Sequence, residues 1–167
     1  PVMSQKMNAI ISKCVSTQLL TMSDRSRLES QWLIYLHNVY YIDEAKEVFE
    51  FVHPNRAQQI DNSRFKKLEF STEIDCILHG FAGYFTSQLY KDIEISIHPK
   101  THTKGLQSWY SIYFPIPEPM QLKKSEKIEV DFYRKCDPEK IWYEYQTLLP
   151  KKSKVINEGG LVHPILL

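Results

Sequence analysis

Residues 78–85 read LHGFAGYF, a strand-length run that joins three aromatic rings to two glycines and an alanine. Glycine inside a strand costs conformational entropy and packs nothing. It therefore marks a bulge, a barrel corner or a place where another surface comes close to the backbone. The odd positions Ile77, His79, Phe81 and Phe85 can fill a core. The even positions Leu78, Gly80, Ala82 and Tyr84 are neither polar nor bulky, so the strand is expected to be covered on both faces. The small residues admit two readings. Gly83 turns a barrel corner, or Gly80–Ala82 is a strip on which a second domain docks.

The pattern around this run has a period of two. Leu68, Phe70, Thr72 and Ile74 alternate with charged or hydroxyl residues, as do Ile93, Ile95 and Ile97, and again Ile128, Val130 and Phe132. Each reads as a half-buried strand. Further strand candidates are 31–41, 46–53, 76–89, 109–116 and 140–149, separated by turn signals such as HPNR, HPKTHTKG, PIPEP and CDPEK. Gly159–Gly160 reads as a turn before the last strand. The expected fold is all-β, an antiparallel barrel or sandwich of about eight strands spanning 31–167. Residues 1–30 differ. Met7, Ile10 and Ile11 fall at helical spacing behind Ser4 as N-cap, and 21–30 is polar. This predicts a short helical arm with an exposed, mobile tail, packed on a second domain or another subunit.

Composition excludes several classes. The 167 residues suit one domain, and 21 basic against 20 acidic residues leave no global field to attract nucleic acid or membrane. Cys14, Cys76 and Cys136 are odd in number and far apart, as for buried thiols in a reducing compartment. The chain begins at Pro1 without an initiator Met, which is compatible with a segment of a longer protein.

The five glycines build no phosphate loop. His98 and His102 are four apart but separated by a proline, and no carboxylate or thiolate stands at ligand spacing, so no metal site is expected. No nucleophile–base pair can be argued locally. One segment stands out, KGLQSWYSIYF at 104–114. Its even positions Tyr110, Ile112 and Phe114 are expected to face the core, with Trp109, Ser111 and Tyr113 pointing away. Trp109 would stand at the mouth of a strand beside a glycine loop, its indole suited to stacking on a guanidinium or a ring.

The motifs HPNR (53–56), IDNSRFKKLEF (60–70), LHGFAGYF, LYKDIEISIHPKTH (89–102), SWYSIYFPIPEP (108–119) and IWYEY (141–145) stand in that order. Together they resemble the C-terminal region of the type II, symmetric-dimethylating protein arginine methyltransferases, from about Tyr35 to the end. The resemblance implies a barrel-like substrate and dimerisation domain. In the family it follows a Rossmann-like domain that binds S-adenosylmethionine and supplies a catalytic glutamate pair. The segment alone is then expected to be catalytically silent, with no cofactor-binding or catalytic residue of its own. The family's barrel lends the active site a Phe-Ser-Trp loop, which here reads Gln107, Ser108 and Trp109, with Gln107 in place of the aromatic. These three are the expected substrate-side residues.

The same resemblance implies methyl transfer to arginines of protein substrates with arginine-rich tails, such as histones or splicing proteins. It further implies a homo-oligomer in cytoplasm and nucleus, without direct nucleic-acid or membrane contact. Some members also bind a WD-repeat partner through a different domain. It makes the close-approach reading of Gly80–Ala82 the favoured one. The alternative is a stand-alone sandwich module that binds peptide or glycan with Trp109 and Tyr113.

Overall fold

The computed structural model describes residues 3–14, 30–36, 39–58, 60–162 and 164–167, the first of these segments by its backbone only. Eleven strands are seen among them: β1 Met3–Cys14, β2 Trp32–Ile34, β3 Val39–Tyr41, β4 Lys46–His53, β5 Arg64–Ser71, β6 Cys76–Tyr90, β7 Ile93–Ser96, β8 Ser111–Leu122, β9 Lys127–Cys136, β10 Lys140–Leu149 and β11 Ile165–Leu166. They form two antiparallel sheets. The larger is ordered β2-β8-β6-β1-β3, with β4 also on β1 and β7 also on β6. The smaller runs β11-β10-β9-β5. The sheets face each other as a sandwich and do not close into a barrel. The all-β expectation holds, and 31–41 divides into two short strands.

The helical arm does not. Met3–Cys14 is a strand lying between β6, which it pairs from Ser4↔Gln88 to Ser12↔Gly80, and β4 with β3 on its other side. A helix this short is marginal by itself. Ladder partners on both edges satisfy the backbone instead, and tertiary pairing overrides the local spacing of Met7, Ile10 and Ile11. These residues complete the sandwich. The exposed tail expected over 21–30 lies, but for Ser30, outside the described residues, and Ser30 itself is buried.

Aromatic rings fill the space between the sheets. Phe81 and Phe114 come from the larger sheet, Phe70, Phe132 and Tyr145 from the smaller. Phe114 meets Phe132 and Tyr145 edge to face, each at 5.3 Å between centroids, and Phe81 meets Phe132 at 5.5 Å. Such pairs contribute about 0.5–1.5 kcal/mol each beyond their buried area. The Tyr145 hydroxyl reaches across the gap and donates to the Pro115 carbonyl at 2.5 Å.

Pro115 opens the PIPEP segment, which is not a turn between strands but an irregularity inside β8. The β6–β8 register jumps from Leu78↔Met120 to Gly80↔Pro115. Prolines lack the N–H that an unbroken ladder requires. Across the same irregularity β6 changes phase. Cys76 and Leu78 face the core before it, and Phe81 faces the core after it. Strict alternation over 77–85 would place Ile77 inside, and it is exposed.

Gly80 sits at this phase change, and its surroundings explain its identity. A Cβ there would lie 2.5 Å from the Phe114 carbonyl oxygen and 2.7 Å from the Tyr113 hydroxyl. The Tyr113 ring of β8 crosses over Gly80, and its hydroxyl donates to the His79 carbonyl at 2.9 Å. Tyr113 points away from the Phe114 side, as its alternation predicts, yet is buried at 3% exposure. The docking-strip reading is corrected accordingly. Gly80 makes room for a neighbouring strand's tyrosine, and Ala82 is sealed by the chain itself in a second cluster with Tyr84 and Ile97, flanked by Leu36, Tyr41 and Leu106.

Candidate functional site

The loop from Ile97 to Tyr110 joins β7 to β8, and polar side chains fix its beginning. Ser96 is buried. Its hydroxyl bonds to the Thr101 hydroxyl at 2.8 Å and accepts from the His98 N–H at 3.1 Å. Its own N–H donates to the Thr103 hydroxyl at 2.9 Å, and Thr103 N–H donates back to the Ser96 carbonyl at 2.8 Å. The turn then passes through Gly105 at φ +87°, a conformation that costs little without a Cβ. Leu106 next folds back onto the cluster around Ala82 and Tyr84. Beyond Leu106 the chain lifts away, and Gln107, Ser108, Trp109 and Tyr110 are all exposed.

Trp109 is half exposed, at 50%. Its indole leans on Phe85 of β6, edge to face with centroids 5.2 Å apart, so one side of the ring is braced. Tyr110, expected in the core, instead meets Tyr35 at 4.7 Å and 75°. It lies before the first β8 ladder pair, Ser111↔Ile34, so strand alternation does not yet govern it. The Tyr35 hydroxyl donates to the Gln107 carbonyl at 3.2 Å.

Charge around the loop is modest. Lys100 pairs with Glu44 at 2.7 Å, but both side chains are largely exposed, and such pairs contribute little. Burial holds the His98 imidazole below its usual pKa, with the Lys100 charge adding to the effect and Glu44 opposing it. Beneath, burial raises the Tyr84 phenol well above its ordinary range, reinforced by its 2.6 Å hydrogen bond to Tyr41. The Tyr84 phenol under the loop stays neutral.

Of the expected site residues, Gln107, Ser108 and Trp109 stand together at one end of the larger sheet. Tyr113, which the peptide- or glycan-binding alternative needed, shares the outer face of its ladder partner Ala82 and is buried there. Two members of the cluster were not anticipated. Phe85 was assigned to the core, and Tyr35 carried no signal beyond membership of a strand candidate. Arranged this way, the residues offer a braced flat ring and a row of aromatic edges. From Thr103 to Ser111 there is no carboxylate or imidazole to move a proton.

Comparison with known proteins gives the family and the fold. The family described as the PRMT5 oligomerisation domain matches residues 1–163. "Protein arginine N-methyltransferase 5" of Drosophila melanogaster is 49% identical over 113 residues, covering 68% of this chain and 18% of the relative. Its namesake from Xenopus laevis is 36% identical over 140 residues, covering 84% and 22%. "Protein arginine N-methyltransferase skb1" of Schizosaccharomyces pombe is 32% identical over 149 residues, covering 81% and 24%. The chain thus spans only about a fifth of the length of these relatives. Among solved structures, the Trypanosoma brucei PRMT1 enzyme–prozyme heterotetrameric complex with AdoHcy superposes on 98% of this chain, and the chain on 55% of that one, with a TM-score of 0.68 at 10% identity. The crystal structure of PRMT6 superposes on 87% of this chain and 54% of its own, at 0.63 and 11%. At that identity the likeness speaks for the fold alone. The match across nearly the whole chain, with relatives at 36% identity over most of it, makes this chain a member of the PRMT5 oligomerisation-domain family.

Proposed function

We propose that this chain is the C-terminal domain of a protein arginine methyltransferase forming symmetric dimethylarginine, and that its loop at Gln107–Trp109 walls the substrate side of the active site. The observation that carries the reading is the half-exposed Trp109 indole, braced by Phe85 and displayed at the end of the sheet in a domain of this family. A substrate guanidinium is planar and cationic. An indole face attracts it by about 0.5–2 kcal/mol and also limits its orientation. In-line methyl transfer requires the nucleophilic nitrogen to be held in near-attack geometry, and a fixed wall serves that end.

The methyl donor, S-adenosylmethionine, does not fit this loop, because 103–111 has no carboxylate to hold a ribose diol. We assign it to another part of the longer protein, as the length of the relatives supports. The domain's second role in this reading is contact between copies of the chain, in line with the family's description. Arginine-rich protein tails, including those of histones or splicing proteins, are the proposed substrates, and cytoplasm and nucleus the proposed setting.

Trp109→Ala in the full-length protein tests the wall. Turnover on an arginine peptide should fall on the order of a hundredfold, the loss that accompanies misplacement of reacting atoms by about 1 Å. Donor affinity and melting temperature should stay near wild type. Unchanged turnover would remove Trp109 from the site, and a parallel loss of stability and donor binding would make it a structural plug.

A further inference from the structure

Tyr35 lies one residue past β2, and its side chain touches the Trp109 loop twice. The hydroxyl donates to the Gln107 carbonyl, and the ring packs on Tyr110. These contacts fall on either side of Ser108–Trp109. The β2–β8 ladder runs Trp32↔Tyr113, Leu33↔Ile112, Ile34↔Ser111 and stops there, so residues 107–110 extend beyond its last rung. Tyr35 continues β2 at that point and meets them with its side chain instead of its backbone. Phe85 braces Trp109 from β6, a different strand.

From this geometry we infer that Tyr35 is a positioning residue, a clamp that holds the Ser108–Trp109 segment at a set angle before substrate arrives. The inference rests on the reading of Trp109 as the substrate wall. An exposed four-residue span carrying a large ring would otherwise sample many orientations, and each would have to be given up on binding. Pinned at both ends and braced from behind, the span presents the indole already oriented, so less conformational freedom is lost when the guanidinium docks.

The test uses the full-length protein, an arginine peptide and 5-fluorotryptophan labelling, with the Trp109 resonance assigned by Trp109→Phe. Tyr35→Ala should lower kcat/KM by about tenfold, short of the roughly hundredfold expected for full misplacement because Phe85 still braces the ring. Donor affinity should not change. The Trp109 resonance should shift or broaden, and trypsin should cut faster after the loop residue Lys104. Tyr35→Phe keeps the ring contact and loses the hydrogen bond, so it should recover most of the activity while still shifting the resonance. In a Trp109→Ala background, Tyr35→Ala should cost roughly twofold at most, because residues acting through one another are not additive.

An equal loss in both backgrounds would overturn the clamp, as would a Trp109 resonance and a Lys104 cleavage rate that ignore Tyr35. If Tyr35→Ala melts well below wild type, Tyr35→Phe decides at unchanged stability, and an unmoved resonance there refutes the inference. If Trp109→Ala leaves turnover intact, the substrate-wall reading fails. The clamp then stands or falls on the resonance and the cleavage rate, which need no activity.

Discussion

Gly80→Ala is the most informative single change to the fold, because the structure states what the added methyl would strike. Its Cβ would stand 2.5 Å from the Phe114 carbonyl oxygen, 2.7 Å from the Tyr113 hydroxyl and 2.8 Å from Tyr113 Cε2. The tyrosine ring could swing away, but the carbonyl is backbone in the middle of β8. The Phe114 ring it belongs to is locked against Phe132, Tyr143 and Tyr145. Relief therefore requires the two strands to part, by roughly half an ångström, moving a fully enclosed ring of the core. Overpacking of this kind costs about 1–3 kcal/mol. Displacing Tyr113 also loses its bond to the His79 carbonyl, about 0.5–1.5 kcal/mol. Against this, alanine restricts the unfolded chain and returns about 0.4–1 kcal/mol. The net expectation is a loss of about 2 kcal/mol, or about 4–8 °C in melting temperature for a domain of this size.

Urea denaturation of the 167-residue chain measures it, read as a lower midpoint at unchanged slope. Gly105→Ala is the control. Nothing lies within 4 Å of a Cβ there, so only its φ of +87° opposes the change, and about 1–2 kcal/mol from strain alone is expected. A Gly80→Ala midpoint at or above wild type would refute the account of Gly80 as the residue that admits Tyr113. It would reopen the reading in which the small strip waits for another domain.

Two further changes probe the interior and the loop. Tyr145→Phe keeps the ring stacked on Phe132 but removes the donor to the buried Pro115 carbonyl, and should destabilise by about 1–3 kcal/mol in the same denaturation assay. For His98, burial depresses the folded pKa below the unfolded value of 6.5, so the unfolded chain takes up the proton first. Its contribution is complete above pH 6.5 and is lost as pH falls from there through the depressed folded pKa. Protonation also removes the Nδ1 acceptor used by the Lys100 N–H at 3.1 Å. His98→Asn should flatten the acid limb of the stability–pH curve below pH 6.5, and an unchanged limb would exclude His98 as its source.

How far the sequence led can be seen in particular residues. Ile128, Val130 and Phe132 alternate cleanly because β9 pairs with β5 without a shift from Arg64↔Arg134 to Ser71↔Lys127, and all three are fully buried as their spacing predicts. Alternation fails where the ladder is interrupted. In β6 the phase change at His79–Gly80 exposes Ile77, and at the head of β8 Tyr110 precedes the ladder and escapes its period. Met3–Cys14 misleads because the apolar side chains of a twelve-residue run, Met7, Ile10 and Ile11 among them, do not fix its period, and long-range pairing decides. Gln107 and Ser108 emerge from family motifs alone, whereas Trp109 also stands out locally, at the mouth of a strand beside a glycine loop. Tyr35 carries no such signal, since it lies 72 residues from the carbonyl it holds and only the fold brings them together.

The glycine-containing run of β6 and the tryptophan that carries the proposed function are linked through one strand. On its inner face β6 gives Phe81 to the core. On its outer face Ala82 and Tyr84 form a floor, and the chain covers that floor with Ile97 and Leu106, the residues between which the β7–β8 loop is strung. A bulky side chain at 82 would lift Leu106, and with it the three residues after it. The small strip is thus not a vacancy kept for a partner. It is the seat on which the Trp109 loop is fastened, one residue before the backbone turns outward at Gln107. Phe85, three positions along the same strand from Ala82, then supplies the brace for the indole. The seating under Leu106 and the brace at Phe85 come from β6 and the Tyr35 contacts from the end of β2, so the orientation of Trp109 depends on the sandwich being assembled. A loop fastened this way takes these supports from within the described chain.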